Sequence, residues 1–136
     1  MEIKKVVVIG SGTMGSGIAA HLCNANIPVT LLDLKTEISE QARDKIYKSR
    51  PPLLLDKSKI NNIKVGNILD NFAEVAEADW VVEAVVERID IKHNIYEKIF
   101  KERKKGAIVS SNTSSIPIKV LSQNLAKEEK KDFCIT

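Results

Sequence analysis

Hydrophobic residues along the chain fall into short β-branched runs that alternate with segments of helical period. The runs predict strands over residues 3–9, 28–33, 63–65, 80–86, 107–110 and 132–136. Between them, apolar residues recur every three or four positions, as on one face of a helix. The predicted helices are 13–25, 36–49, 70–78, 90–104 and a last one that ends near 125. Regular strand–helix alternation predicts an α/β, doubly wound fold, with a mainly parallel sheet and helices on both faces.

Helix-ending and helix-capping residues bound two of these elements. The Pro-Pro pair at 51–52 should stop the helix over 36–49, because proline disfavours helical geometry before it and lacks an N–H. A polar turn follows the fifth strand, and Ser114 or Ser115 is expected to cap the last helix, with Pro117 in its first turn.

A glycine cluster joins the first predicted strand to the first predicted helix. Its spacing is Gly-x-Gly-x-x-Gly, at positions 10, 12 and 15. Gly10 would let the chain turn off the strand, Gly12 would let backbone approach a pyrophosphate, and Gly15 would let the helix pack tightly. The pyrophosphate would lie beside Thr13 and Met14 at the helix N-terminus, where free N–H groups favour an anion. This is the strand–turn–helix opening of a Rossmann-like dinucleotide-binding domain.

An acidic residue ends the second predicted strand. Asp33 lies 18 residues after Gly15, where this fold places the carboxylate that accepts hydrogen bonds from the adenosine ribose. A carboxylate there repels the 2′-phosphate of NADP, so NAD is the expected cofactor. The alternative is an ordinary β-turn-α unit with a chance surface acid. The strand before the glycines and the apolar helix after them favour the cofactor site.

Length, charge and composition exclude several classes of function. The chain has 136 residues, which suits one domain over 1–136, and a formal net charge of +3. Its basic runs contain acids and no interleaved aromatics, so nucleic acid is not an expected partner. No apolar run approaches the roughly 20 residues that span a bilayer, and no signal-peptide pattern opens the sequence. A cytoplasmic protein without a membrane partner is therefore expected.

The cysteines and histidines are too few and too scattered to predict a metal site or a disulfide framework. Cys23 falls on the apolar face of the first helix and Cys134 in the last strand, and both are expected to be free, reduced core residues. His21 and His93 have no acidic or cysteine neighbours at ligand spacing, so surface or helix-flank positions are expected for both.

Candidate functional residues follow four of the predicted strands. They are the glycine loop, Asp33, and the segments 85–87 and 111–115. Because ligands of doubly wound sheets bind beyond the carboxyl ends of the strands, these segments should surround one crevice.

Three further segments establish a family resemblance. Residues 79–92 end a strand with an acid and carry a lysine five positions on, 110–115 read Ser-Ser-Asn-Thr-Ser-Ser, and 50–54 read Arg-Pro-Pro-Leu-Leu. With the glycine motif, they resemble the N-terminal NAD-binding domain of the 3-hydroxyacyl-CoA dehydrogenases of fatty-acid β-oxidation. The Arg-Pro-Pro-Leu segment is closer to the long, multifunctional bacterial type. The resemblance covers essentially the whole chain and implies conversion of (S)-3-hydroxyacyl-CoA to 3-oxoacyl-CoA with NAD.

The resemblance also implies roles for five polar side chains. Glu87 and Lys92 would contact the cofactor near its nicotinamide half. Ser114 would hydrogen-bond the 3-oxygen of the acyl-CoA substrate, Asn112 would help to position ligand and loop, and Ser49 would lie near the CoA moiety. No lysine of this sequence can be matched to the family lysine that assists CoA binding.

Each of these residues also has a structural interpretation. Glu87 could be a simple strand-end carboxylate, Lys92 a solvated lysine at a helix start, and Ser114 a helix cap. Glu83 is expected to be structural, since it points to the opposite strand face from Val82.

The resemblance further implies groups outside these 136 residues. The family's histidine general base would follow Thr136. The histidine, the glutamate that orients it and the helical C-terminal domain, which completes the substrate cleft and usually dimerises, are therefore expected to be absent. Losing a general base typically costs about 10²–10⁴-fold in rate. We therefore expect NAD binding with little turnover.

Two other functions remain open from the sequence. A stand-alone, non-enzymatic nucleotide-binding or interaction module could pair with a complementing chain, or form a homo-oligomer, through an unpaired strand edge at 132–136. A different hydroxyacid dehydrogenase could use the same domain, although the Ser-Asn-Thr-Ser-Ser turn argues against it.

Overall fold

The fold, described by a computed structural model for residues 2–136, is built on one parallel sheet. Strands β1–β6 span Val6–Ile9, Val29–Asp33, Ile63–Asn67, Trp80–Glu83, Ile108–Ser111 and Phe133–Ile135. Their order across the sheet is β3-β2-β1-β4-β5-β6, and every neighbouring pair is parallel. The chain therefore winds to one side of β1 and then to the other, which confirms the predicted doubly wound α/β fold.

Helices connect the strands. Within the described residues, α1–α5 span Thr13–Asn24, Thr36–Lys48, Ile89–Glu102, Ile118–Leu121 and Lys127–Lys130, and 3₁₀ helices span Lys57–Asn62 and Phe72–Glu77. The first three α-helices lie close to their predicted bounds. The helix predicted for 70–78 is the second 3₁₀ helix, because so short a segment makes few α-helical hydrogen bonds. The helix predicted to end near 125 is only the single turn α4.

The two faces of the sheet carry separate cores, as the alternation of side chains along each strand requires. Val6 and Val8 of β1 pack with α1 and α2 on one face. Val7 and Ile9 pack with α3 and α4 on the other. Helices on both faces thus bury β1 completely and place its carboxyl end at the centre of the fold.

The strand predicted over 80–86 ends earlier, at Glu83. Val85 N–H donates to the Glu83 carboxylate over 2.8 Å instead of to a neighbouring strand. The side chain of the last strand residue therefore ends the ladder and turns the chain out of the sheet.

The predicted helix cap and the predicted burial of one cysteine are both wrong. The Thr113 hydroxyl, not Ser114 or Ser115, accepts hydrogen bonds from backbone N–H groups of the turn, at 3.2 Å from Ile116 N and 3.4 Å from Ser115 N. Pro117 lies just before α4 rather than in its first turn.

The two cysteines differ in exposure. Cys23 is buried on α1 as expected, whereas Cys134 is exposed. It lies on the edge strand β6.

Within residues 2–136, no helix is long and apolar enough to cross a bilayer. In the same residues, His, Cys, Asp and Glu side chains form no group that could hold a metal ion.

Candidate cofactor site

Two glycines of the loop after β1 occupy positions where a side chain would not fit. Gly10 has a φ of +105°, and a Cβ there would lie 2.3 Å from Ala84 O. A Cβ on Gly15 would lie 1.8 Å from Gly10 O. Both contacts are far inside van der Waals distance, so the loop can turn and pack α1 against β1 only with glycine at these positions.

Gly12 is different, because nothing lies within 4 Å of the position that its Cβ would take. The residue is exposed and forms the N-cap of α1. In the described structure no side chain caps this helix end and its first turn carries no acid. The free N–H groups therefore face an open cradle that suits an anionic group such as a pyrophosphate.

Asp33 lies at the end of β2 and is fixed by the glycine loop. Its Oδ2 accepts hydrogen bonds from Ser11 N at 2.8 Å and from Ser11 Oγ at 2.5 Å, and its Oδ1 accepts one from Leu34 N at 2.7 Å. The carboxylate is partly exposed. Oδ1 has one acceptor site left, so Asp33 can accept a hydrogen bond from a ribose hydroxyl without losing its partners in the protein.

A cavity of about 490 Å³ joins these parts. Its walls come from the glycine loop, the end of β2 and the segment after β4, and include Met14, Asp33, Leu34, Val85 and Val86. Apolar walls with one oriented carboxylate and a helix N-terminus suit a ligand that combines flat rings, ribose and phosphate. The residues present therefore fit a dinucleotide.

A buried polar network lies beneath the end of β4, and the sequence interpretation did not foresee it. Glu83 is fully buried, and its carboxylate accepts hydrogen bonds from Val85 N, Lys92 Nζ, Tyr96 OH and Ser111 Oγ over 2.5–2.8 Å. Burial, and then the neighbouring Glu83 carboxylate, raise the pKa of Tyr96, so its hydroxyl stays protonated and donates. Glu83 is thus structural, as expected. The sequence did contain one indication of this network, because an acid within the apolar run 81–86 is buried and needs a buried partner.

Lys92 is not a solvated lysine, because its side chain is 0% exposed. Its Nζ lies 2.6 Å from Glu83 Oε2 and 3.1 Å from Glu87 Oε1, and donates to Val85 O at 3.3 Å. The three donors of the ammonium group are therefore all used within the protein. The predicted contact of Lys92 with the cofactor remains a prediction, which in this geometry would act through Glu87.

Glu87 bridges the ends of β4 and β5. Its Oε2 accepts hydrogen bonds from Thr113 Oγ1 at 2.7 Å and from Ser115 Oγ at 2.6 Å. These two bonds, with the ammonium of Lys92, lower the pKa of Glu87 to about 2. The loop after β5 is thereby tied to the wall of the cofactor cavity.

Asn112 and Ser114 belong to this tied loop. Asn112 N donates to Glu83 O at 2.8 Å, and the Asn112 side chain lines a neighbouring cavity together with Thr13 and Met14. Ser114 is exposed, whereas Thr113 and Ser115 on either side of it turn their hydroxyls to Glu87. The structure thus brings both candidate substrate residues to the same edge of the sheet as the glycine loop.

Ser49 lies on the other side of the glycine loop, at the end of α2. Its hydroxyl donates to Ile46 O and accepts from Leu53 N, both at 2.9 Å. It lines a cavity of about 390 Å³ shared with Gly12 and Thr13. A contact of Ser49 with CoA remains a prediction.

The two histidines differ in their distance from these residues, because His21 lines the neighbouring cavity with Asn112, Thr13 and Met14, whereas His93 does not. His21 is exposed on α1, eight residues and so about 12 Å along the helix from Thr13. His93 Nε2 lies 2.9 Å from Val120 O, and its Nδ1 lies 3.2 Å from the amide of Asn124. His93 therefore links α3 to the region of α4, on the far side of the polar network.

Comparison with known proteins identifies the family. The profile of the family described as "3-hydroxyacyl-CoA dehydrogenase, NAD binding domain" matches residues 5–136. The chain belongs to this family. NAD is therefore the dinucleotide that the glycine loop and Asp33 fit.

Relatives of the 3-hydroxyacyl-CoA dehydrogenase family support the assignment. A putative fatty acid oxidation complex trifunctional enzyme of Rickettsia felis is 42% identical over 142 residues, which cover 99% of this chain and 20% of that protein. A probable 3-hydroxyacyl-CoA dehydrogenase of Deinococcus radiodurans is 39% identical over 140 residues, which cover 98% of this chain and 40% of that protein. The chain thus spans a fifth to two fifths of the length of these relatives.

Two solved structures share the fold of this chain. The crystal structure of 3-hydroxybutyryl-CoA dehydrogenase from Escherichia coli K12 superimposes with a TM-score of 0.82 at 26% identity, over 96% of this chain and 29% of that one. FadB2 of M. tuberculosis gives a TM-score of 0.84 at 25% identity, over 98% of this chain and 48% of that one.

Proposed function

We propose that residues 1–136 form the cofactor half of a cytoplasmic dehydrogenase that interconverts (S)-3-hydroxyacyl-CoA and 3-oxoacyl-CoA in fatty-acid β-oxidation. The observation that carries the proposal is the pairing of an open, side-chain-free cradle at Gly12 with the oriented carboxylate of Asp33. Bound NAD would supply the acceptor for the hydride that leaves C3 of the substrate.

The residues of this chain would bind and position the ligands. Asp33 would accept hydrogen bonds from the adenosine ribose, and the N–H groups at Gly12 would hold the pyrophosphate. The Ser114 hydroxyl would donate to the 3-keto oxygen or accept from the 3-hydroxyl, so it serves both directions of the reaction. Asn112 and Glu87 would hold the loop that presents it.

A cofactor titration tests the binding part of this proposal. NADH fluorescence should saturate on addition of the chain, and NADPH should bind more weakly because of the Asp33 charge. Asp33→Ala should weaken NADH binding by about tenfold or more, the usual effect of losing hydrogen bonds to a charged group. Asp44→Ala, which removes an exposed carboxylate from α2, is the matched control and should bind like the unchanged chain. Equal NADH affinity in all three proteins would contradict the proposal.

We propose further that these residues alone turn over little substrate. A general base must come within hydrogen-bond reach of the substrate hydroxyl, directly or through one water. His21 lines the cavity beside Asn112 but lies about 12 Å along α1 from Thr13, and His93 is engaged by Val120 and Asn124. Oxidation of NADH with acetoacetyl-CoA should therefore be close to the uncatalysed rate, and turnover like that of a complete family enzyme would refute this.

A second candidate function is pairing with a complementing chain or a second copy. β6 is an edge strand, and Ile135 is 41% exposed. A mainly apolar groove of about 630 Å³ beside α1 ends at Trp80, Val82 and Thr136. Parallel sheets are normally covered on both faces, so this surface favours association. Light scattering after size exclusion should then give a mass above that of one chain, and a strict monomer at all concentrations would speak against it.

A further inference from the structure

Three charged side chains meet between β4 and α3, and their charges do not cancel. Glu83 and Lys92 are both fully buried, and Lys92 Nζ lies 2.6 Å from Glu83 and 3.1 Å from Glu87. Buried charges are costly unless they are paired, which explains why one ammonium group sits between two carboxylates. The cluster keeps one net negative charge.

The uncompensated charge lies at Glu87. Both oxygens of Glu83 are satisfied inside the protein by four donors. Glu87 is instead 39% exposed, and two of its three hydrogen-bonding partners are the neutral hydroxyls of Thr113 and Ser115. Its lowered pKa keeps it ionised at neutral pH. The negative charge therefore faces the open edge of the sheet.

The strand order determines which half of a bound dinucleotide would lie near the negative charge of Glu87. This argument rests on the proposed binding of NAD. Asp33 follows β2 and would hold the adenosine, whereas the glycine loop follows β1 and would hold the pyrophosphate. β4 and β5 lie on the opposite side of β1 from β2. The nicotinamide half therefore extends over the ends of β4 and β5, where Glu87 lies.

We propose that Glu87 determines the relative affinity of this site for the two redox forms of the cofactor, by favouring the oxidised form. The nicotinamide ring carries a positive charge in NAD⁺ and none in NADH, while the rest of the molecule is unchanged. A carboxylate at these strand ends would stabilise the cationic ring by charge attraction and would affect the neutral ring little. The contribution corresponds to about a three- to tenfold change in the ratio of the two dissociation constants.

The ratio of NAD⁺ to NADH affinity tests this inference. Both forms are titrated by calorimetry into the unchanged chain, Glu87→Gln and Glu87→Asp. Glu97→Gln serves as the matched control, because it removes the same charge from an exposed position on α3, where Glu97 faces Lys101. Glu87→Gln should weaken NAD⁺ binding about fivefold more than NADH binding. Glu87→Asp, which keeps the charge, and Glu97→Gln should both retain the original ratio.

The outcomes separate this inference from the proposed function. If Glu87→Gln keeps the original ratio of the NAD⁺ and NADH dissociation constants, even with an equal loss of affinity for both forms, the inference is overturned. Glu87 would then serve only to hold the loop after β5. The proposed function would survive that result, because the unchanged chain would still bind the cofactor. Failure of the unchanged chain to bind either form would overturn both.

Discussion

Gly10, Gly12 and Gly15 share one sequence pattern but are required for different physical reasons. At Gly10 and Gly15 a Cβ would collide with backbone, so these two glycines allow the loop to fold. At Gly12 a Cβ would meet nothing within 4 Å, so that glycine is needed only if a ligand approaches. The sequence pattern predicted a role for each of the three glycines. The structure shows that two of them are needed for folding and that the third leaves room for a ligand.

Alanine substitutions should separate these two roles. Gly15→Ala should destabilise the protein by about 1–3 kcal/mol or more, because it forces atoms into a packed contact. Gly12→Ala should leave stability nearly unchanged and weaken NADH binding about tenfold, equivalent to about 1.4 kcal/mol. Gly17→Ala is the control: it lies inside α1 with no atom near its Cβ and should stabilise the protein by about 0.5–1 kcal/mol. Thermal unfolding and NADH titration measure both effects.

The opposite pattern would contradict this account of the loop. If Gly12→Ala unfolded the protein, or if Gly15→Ala changed only NADH binding, the assignment of the two glycines would be wrong.

Glu87 should contribute to stability in a pH-dependent way. Its pKa is lowered from 4.5 to about 2, chiefly by hydrogen bonds from Ser115 and Thr113. A group with a lowered pKa in the folded state stabilises the protein above its unfolded-state pKa, and this contribution is lost as the pH falls from 4.5 towards 2. The difference in urea midpoint between the unchanged chain and Glu87→Gln should therefore shrink between about pH 6 and about pH 3. The same difference at both pH values would show that the hydrogen bonds do not depend on the charge of Glu87.

At the scale of elements, β4, the loop after it and α3 act as one unit that supports the crevice. Glu83 at the end of β4 binds Lys92 and Tyr96, which lie four residues apart on α3, and Lys92 in turn binds Glu87. Glu87 then holds the loop after β5. The position of the candidate substrate loop thus depends on a buried ion pair.

Removing the cation from this unit should be severely destabilising. Lys92→Met leaves Glu83 buried without its partner and should cost about 3–5 kcal/mol. Adding Glu83→Gln should recover part of the loss, because it removes the unpaired charge. Lys101→Met, on the exposed face of the same helix, should change stability by less than about 0.5 kcal/mol. Urea unfolding measures all three, and a Lys92→Met variant as stable as Lys101→Met would contradict the structural role of the pair.

The elements differ in how far the sequence could predict them. The strands of the first half, α1 and α2 followed from hydrophobic period and glycine spacing, because those patterns depend on local residues. The end of β4 at Glu83 and the burial of Lys92 could not be predicted, because each depends on a partner from another element. No side chain caps α4, and the hydroxyl of Thr113, not that of Ser114 or Ser115, accepts the backbone hydrogen bonds of the turn before it. The Thr113 hydroxyl also donates to Glu87, a residue distant in sequence, so this turn could not be predicted from local residues.

At the scale of the whole molecule, the cofactor crevice draws on both halves of the sheet. β1 and β2 supply the glycine loop and Asp33, while β4 and β5 supply the segments that include Glu87 and Asn112. The strand order brings these four ends together. The candidate site therefore depends on the fold as a unit and on no single motif.

The central claim is that NAD lies across these four strand ends, and backbone amide NMR tests it most directly. The chain has a mass of 15.1 kDa, which suits residue-by-residue observation. On titration with NAD⁺, saturable shifts should appear at the amides of Gly12, Asp33, Val85 and Asn112, and His93 should be unaffected. The absence of saturable shifts at millimolar NAD⁺, or shifts that avoid the glycine loop and Asp33, would contradict the account.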